Sequence, residues 1–280
     1  MEQVQRYAVF GHPIKHSLSP KIHRLFAEQT NQNNMIYTAQ DVAAENFVDV
    51  VHEFFAGDGQ GLNCTVPLKE LAWSIADERS DRARLSKAAN TLALCKNGRL
   101  FADNTDGVGL VQDLSVNLQL ELKNINVLIL GAGGAARGII GPLLAESPAG
   151  LVIANRTHTK AENLAQEFNA YGPVFSQKIV DLNGSVFDLI LNATSASLNN
   201  ELPDLPDSIL SGSGVCYDLV YGLQPTAFVR WGFRVGAARS VDGLGMLVEQ
   251  AAEAFAIWRG VRPQTSNVIQ TLNADRTAVS

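Results

Sequence analysis

Short apolar runs alternate along the chain with stretches in which apolar residues recur every three or four positions. Residues 7–10 read as a short strand closed by Gly11, and the polar loop HPIKHSLSP follows. In that loop Ser19-Pro20 predicts a helix start, with serine as N-cap and proline in the first turn. Phe47, Val50, Val51, Phe54 and Phe55 fall at helical spacing and predict an amphipathic helix. Residues 61–66 return to strand, and Pro67 opens a further helix. Residues 91–95 and 99–101 flank Asn97-Gly98, a pair suited to a hairpin turn. DNTDGVG (residues 103–109) then leads into a helix reaching about Leu118.

The clearest element is INVLIL, residues 125–130, an apolar run of the kind found in buried strands. GAGGAARG follows it and passes into helix-forming IIGPLLAE. A second strand, LVIAN (residues 151–155), precedes a helix from about Thr159, where Glu162 completes a capping box. Residues 187–191 and 215–219 supply further strands. A long helical pattern runs from Gly245 to Gly260, and a last helix covers residues 268–272. This alternation predicts an α/β chain whose later part is a parallel, doubly wound sheet.

A length of 280 residues suits two domains of ordinary size. The chain is 46% apolar and 18% charged without a long apolar run, which fits a globular protein and not a membrane-spanning one. Lysine and arginine number 22 against 28 acidic residues, a net charge of −6. No basic run breaks that balance, which argues against nucleic acid or a membrane surface as partner. An anionic ligand must therefore be held by particular residues. The scattered Cys64, Cys95 and Cys216 suggest reduced thiols and a cytoplasmic protein, and the first residues lack the pattern of a secretory leader. His12 and His16 stand four apart, but Pro13 lies between them and no glutamate follows His12, so no metal is expected.

Gly131, Ala132, Gly133, Gly134, Ala135 and Ala136 satisfy G-x-G-x-x-A between a strand and a helix. In that setting the first glycine permits the tight turn, the second lets backbone N–H groups approach a pyrophosphate, and the small last residue allows close packing. The alternative is a glycine turn in a ligand-free domain. Where NAD-binding folds place a carboxylate, at the end of the next strand, this chain has Asn155, Arg156 and Thr157, with Lys160 after them. Arginine with polar neighbours suits the 2′-phosphate of NADP, which a carboxylate would repel.

Outside that segment small polar residues sit between apolar elements: Ser17 and Ser19, then Asn63, Thr65 and Lys69, then Asn90 and Asp106. Singly each has a plain reading, with Ser19 and Asp106 as N-caps and Asn90 as a turn former. Asn63 lies within an apolar strand, where a buried amide requires partners. Together the set would suit a compact, polyhydroxylated acid. Reduction of a ketone by a nicotinamide cofactor needs a proton donor. The chain has no Ser-x-x-x-Tyr-x-x-x-Lys pattern, and Lys69 with Asp106 is the available acid–base pair.

HSLSP, NCTVPLK, AANTL, DNTDGVG, GAGGAARG, NRT, NATS and DGLGMLVEQA stand in the order found in the shikimate dehydrogenase family, which the chain resembles from about Tyr7 to Gly260. The resemblance implies NADP-dependent reduction of 3-dehydroshikimate to shikimate, in chorismate and aromatic amino acid biosynthesis. It implies a substrate domain of residues 1–105 and 243–280, with a Rossmann-type NADP domain, 106–242, between them. Ser17 and Ser19 would hold the substrate carboxylate. Asn63, Thr65, Asn90, Asp106 and Gln250 would meet the ring substituents, with Tyr221 completing the pocket. Lys69 and Asp106 match the catalytic pair. Gly131, Ala132, Gly133, Gly134 and Ala135 match the phosphate loop, and Asn155, Arg156, Thr157 and Lys160 the adenosine-phosphate clamp. Ala193, Thr194, Leu219, Gly243 and Met246 align with residues lining the nicotinamide half, and Asp81 with an acidic position near the cofactor. A homodimer is one assembly open to such a chain.

Two positions depart from the family pattern. Lys160 stands where arginine is common, offering a point charge in place of a planar fork. Ser197 replaces a usual glycine, so a turn needing positive φ is expected to be strained or rebuilt. The rivals are a quinate/shikimate dehydrogenase with relaxed cofactor use, against which Arg156 argues, and a non-catalytic NADP-binding module, against which Lys69 and Asp106 argue.

Overall fold

The computed structural model describes residues 4–279. The chain divides into two compact units, Met1–Gly109 with Val248–Ile269, and Leu110–Leu247 with Gln270–Ser280.

The first unit carries β1 (Gln5–Gly11), α1 (Ser19–Gln29), β2 (Met35–Asp41), α2 (Phe47–Ala56), β3 (Gly59–Cys64), α3 (Lys69–Ile75), β4 (Glu78–Arg79), α4 (Asp81–Ser86), β5 (Thr91–Leu94), β6 (Leu100–Asp103) and the start of α5 (Asp106–Gln112). Its sheet has the order β2-β1-β3-β5-β6-β4. β1 runs parallel to both neighbours, and β5 runs antiparallel to β3 and β6. Because β1 is an interior strand covered on both faces, Tyr7, Ala8, Val9 and Phe10 are all buried. Phe10, Leu62 and Leu92 from the sheet pack with Phe47 and Val51 of α2 and with Leu68, just before α3. The expected hairpin joins β5 to β6, with Gly98 at φ 79° in its turn.

Several boundaries fall elsewhere than the sequence suggests. Ser19 is the first residue of α1; Leu18 is its N-cap, with no side-chain cap. The Ser17 hydroxyl, one residue further back, accepts from the Ser19 N–H at 3.3 Å. β3 ends at Cys64, two residues short of Val66, and the next helix opens at Lys69 instead of Pro67. There the Leu68 N–H turns back to the Thr65 carbonyl, so residues 65–68 form a turn between the two elements.

The second unit continues α5 into a π-turn, Asp113–Asn117, and then carries β7 (Asn126–Leu130), α6 (Gly134–Ala145), β8 (Gly150–Ala154), α7 (His158–Phe168), β9 (Val174–Gln177), β10 (Phe187–Asn192), β11 (Leu210–Asp218), α8 (Ala227–Arg234) and β12 (Arg239–Val241). The long helices α9 (Leu244–Arg259) and α10 (Ser266–Val279) each contribute to both units. α10 extends well beyond the expected residues 268–272. All five strand pairs are parallel, in the order β12-β11-β10-β7-β8-β9. The chain winds outward from β7 through β8 to β9 on one side and from β10 to β12 on the other. That reversal makes the β7–β10 boundary the topological switch point of a Rossmann-type sheet.

α7 begins without the expected capping box: Thr157 is its N-cap and makes no side-chain cap bond. Glu162 instead faces His158, one turn away, at 3.3 Å.

Candidate active site

In the first unit five of the expected polar residues, Asn63, Lys69, Asn90, Asp106 and Gln250, share one hydrogen-bonded cluster, whereas no side-chain bond among the described residues ties Ser17 or Thr65 into it. Lys69, the first residue of α3, places Nζ 2.5 Å from Asp106 Oδ2. The lysine side chain is 21% exposed and the aspartate 9%, so the pair stands at the edge of solvent. Asn90 Nδ2 donates to Asp106 Oδ1 at 2.9 Å, to Thr105 Oγ1 at 2.8 Å and to Gln250 Oε1 at 3.1 Å. Asp106 heads α5 but caps nothing with its carboxylate, both of whose oxygens are engaged by Lys69 and Asn90. Asn90 is likewise no simple turn former, since its side chain is the hub of the cluster.

Asn63 is buried, as its place in an apolar strand requires, and is fully partnered. Its Nδ2 donates to the Asn90 carbonyl at 3.0 Å and to Thr91 Oγ1 at 3.1 Å. Its Oδ1 accepts from the Tyr37 hydroxyl at 2.7 Å. Burial pushes the Tyr37 hydroxyl well above its ordinary pKa, against a smaller opposing effect of a hydrogen bond with Ser19. Ser19 is thereby brought beside Tyr37 and Asn63. Thr65 is half-buried at the end of β3, with its N–H bonded to the Phe10 carbonyl.

Tyr37 and Thr105 join this cluster without having been singled out from sequence. Thr105 had a signal, as the neighbour of Asp106 inside DNTDG. Tyr37 had none: MIYTAQD shows no apolar alternation, because β2 is an edge strand with most residues exposed. Asp81 lies in the first turn of α4, with a 98% exposed side chain paired to Arg84 at 3.1 Å.

In the second unit the register brings the glycine loop and its expected companions together. Leu130 pairs with Ala154 on one side and Asn192 on the other, and Asn192 pairs with Asp218. These four residues form one row at the carboxyl ends of β8, β7, β10 and β11. The residues immediately after them are Asn155, Gly131, Ala193 and Leu219. Gly131 adopts φ 105°, a conformation that favours glycine, and a Cβ there would come within 2.9 Å of the Ala193 carbonyl oxygen. Gly133 is the N-cap of α6, and Cβ atoms built on Gly133 and Gly134 would meet nothing within 4 Å. The loop thus leaves open space before a helix N-terminus, as a pyrophosphate requires.

The flanking groups suit the rest of a dinucleotide. Arg156, Thr157 and Lys160 are exposed, and Asn155 Nδ2 ties down the Thr157 carbonyl at 2.9 Å. Arg137, inside the glycine-rich stretch, is instead engaged in a bidentate pair with Glu167 at 2.7 and 2.9 Å. Arg156 and Lys160, by contrast, are exposed cations following β8. Thr194 bonds back to Asn192 Oδ1 through its N–H and hydroxyl. The Met246 N–H donates to the Tyr217 hydroxyl at 3.1 Å, and Gly243 packs so closely on the Leu219 carbonyl that a Cβ would clash. Tyr221 lies half-buried just beyond β11.

A shikimate dehydrogenase substrate binding domain profile matches residues 9–92, a shikimate/quinate 5-dehydrogenase profile residues 114–200, and a shikimate 5′-dehydrogenase C-terminal domain profile residues 243–272. A shikimate dehydrogenase (NADP(+)) of Methylococcus capsulatus is 60% identical over 276 residues, covering 99% of both chains. The chain belongs to the shikimate dehydrogenase family. Among solved structures, the Ael1 enzyme from Pseudomonas putida superposes with a TM-score of 0.90 at 46% identity, covering 96% of this chain and 98% of that one. The shikimate 5-dehydrogenase of Thermus thermophilus, solved with NADP(H) and shikimate, superposes with a TM-score of 0.85 at 33% identity, covering 98% and 100%.

The strain expected at Ser197 is not found. Ser197 sits in a 3-10 turn, Ala196–Asn199, and is not among the residues with positive φ. Its hydroxyl is buried and bonded to Asn192 and Asp218. Among the described residues no group of three or more His, Cys, Asp or Glu could hold a metal. No described helix is long and apolar enough to cross a membrane.

Proposed function

We propose that the chain is an NADP-dependent shikimate dehydrogenase, an oxidoreductase that reversibly reduces 3-dehydroshikimate to shikimate on the route to chorismate and the aromatic amino acids. The observation that carries this reading is the 2.5 Å contact between Lys69 Nζ and Asp106 Oδ2 inside a hydrogen-bonded cage. NADPH, when bound, supplies the hydride. Lys69 gives a proton from Nζ to the oxygen that becomes the alcohol, and takes it back in the oxidative direction. Asp106 holds that nitrogen in place, and Asn90, bonded to the other carboxylate oxygen, fixes the aspartate in turn.

Ser17 and Ser19 are assigned to the substrate carboxylate, and Asn63, Thr65, Asn90, Asp106 and Gln250 to the ring oxygens, with Tyr221 as a further contact. The open glycine loop supports Gly131, Ala132, Gly133, Gly134 and Ala135 as the pyrophosphate site. Asn155, Arg156, Thr157 and Lys160 would clamp the adenosine phosphate, and Ala193, Thr194, Leu219, Gly243 and Met246 would line the nicotinamide half. The exposure of Asp81 and its pairing with Arg84 lend its cofactor role no support. On this reading residues 1–105 and 243–280 serve the substrate and 106–242 the cofactor, in a cytoplasmic enzyme whose assembly as a homodimer light scattering can check.

Steady-state assays with shikimate and quinate, each with NADP+ and NAD+, test the proposal. Turnover of shikimate with NADP+ well above every other combination is expected. Equal rates with both cofactors would remove the NADP preference, and absence of turnover would remove the enzyme reading.

A further inference from the structure

β11 ends on Asp218, a fully buried carboxylate. Its Oδ2 accepts from Ser197 Oγ at 2.5 Å and from Thr226 Oγ1 at 2.6 Å. Its Oδ1 accepts from Asn192 Nδ2 and from the Val220 N–H, both at 3.1 Å. The four donors come from the end of β10, the turn after β10, the loop after β11 and the N-cap of α8. Asn192, held this way, accepts on its own Oδ1 from the Thr194 N–H at 3.1 Å and hydroxyl at 2.7 Å. One carboxylate therefore joins the loops that follow two neighbouring strands of the sheet.

Packing alone does not call for a charge here, since burying a carboxylate costs free energy unless hydrogen bonds offset it. Burial pushes the Asp218 pKa up, and bonds from Ser197, Thr226, Val220 and Asn192 work against that shift. A group so surrounded by directed donors fixes one arrangement of the loops around it. In an open parallel sheet a dinucleotide lies across the switch point, here between β7 and β10. The exposed Arg156 and Lys160 follow β8 and mark the adenosine side. The loops after β10 and β11 are then left for the nicotinamide side.

We infer that Asp218, acting through Ser197, Asn192 and Val220, is the positioning residue that shapes the nicotinamide half of the cofactor site without touching the cofactor. The inference rests on the NADP reading above. Its signature is a split between the two halves of the ligand.

The experiment is calorimetric binding of NADP+ and of 2′,5′-ADP, which carries the adenosine half alone, to the wild-type chain, Asp218→Asn and Ser197→Ala. The Kd for NADP+ should rise roughly tenfold in Asp218→Asn, as expected from weakening a charge-assisted hydrogen bond, and less in Ser197→Ala. The Kd for 2′,5′-ADP should stay within about twofold, because that half lies outside the loops concerned. Equal weakening of both ligands, or no change in either, overturns the assignment. If Asp218→Asn fails to fold, Ser197→Ala, which removes a single hydroxyl, decides by the same split. Failure of the wild-type chain to bind 2′,5′-ADP would overturn the NADP reading itself, and this inference with it.

Discussion

At the scale of single residues, function depends on where a few side chains are pinned. Lys69 Nζ and Asp106 Oδ2 lie 2.5 Å apart, and the proposed role of the lysine belongs to the transition state. Lys69→Ala should therefore lower kcat by orders of magnitude while changing KM for shikimate much less. A near-normal kcat would take Lys69 out of the proton transfer. Arg156 is exposed, and its proposed partner is the 2′-phosphate that NADP+ carries and NAD+ lacks. Arg156→Ala should raise KM for NADP+ far more than for NAD+, and parallel changes would refute the clamp. Both residues could be proposed from the sequence because their types and spacing imply chemistry. Tyr37 and Asp218 could not: each acts through partners distant in sequence, Asn63 across 26 positions and Ser197 across 21.

At the scale of elements, apolar runs marked these interior strands well, because β1, β7 and β10 are covered on both faces and carry nearly continuous apolar residues. Helix starts were read less well. Serine at Ser19 and the Thr159–Glu162 spacing satisfy the capping pattern, yet the caps fall on Leu18 and Thr157 without side-chain bonds. Side-chain caps do occur at Ser80 on α4 and Thr226 on α8. Close approach of helices was hidden as well. A Cβ on Gly109 of α5 would lie 2.6 Å from the Gln250 backbone nitrogen of α9. Gly109→Ala must push apart two helices that jointly hold Gln250 against Asn90. It should cost about 1–3 kcal/mol of stability, as overpacking does, and raise KM for shikimate. A urea midpoint and KM both at wild-type values would show that α5 and α9 have room to spare.

At the scale of the molecule, a net charge of −6 argues against large anionic partners, yet it says nothing of acid stability. That property is governed in part by one buried imidazole. His23, fully buried on α1, stacks on Tyr37 with ring centroids 4.1 Å apart and also contacts Phe26, Phe255 and Trp258. Burial lowers its pKa to about 3, with the Asn63 side chain offsetting only part of the shift. The folded chain thus keeps His23 neutral, whereas the unfolded chain binds a proton below its ordinary value of 6.5. Acid then favours the unfolded state, and this contribution to stability is lost progressively as pH falls from about 6.5 toward 3. Between pH 7 and pH 5 the loss should be roughly 2 kcal/mol. His23→Phe keeps a ring of similar size in the aromatic cluster and removes the titration. Urea unfolding of both proteins at pH 7 and pH 5 checks the argument, with the variant expected to lose distinctly less stability in acid. Equal losses in the two proteins would assign the acid sensitivity to other groups, because the only titrating change between them is the imidazole.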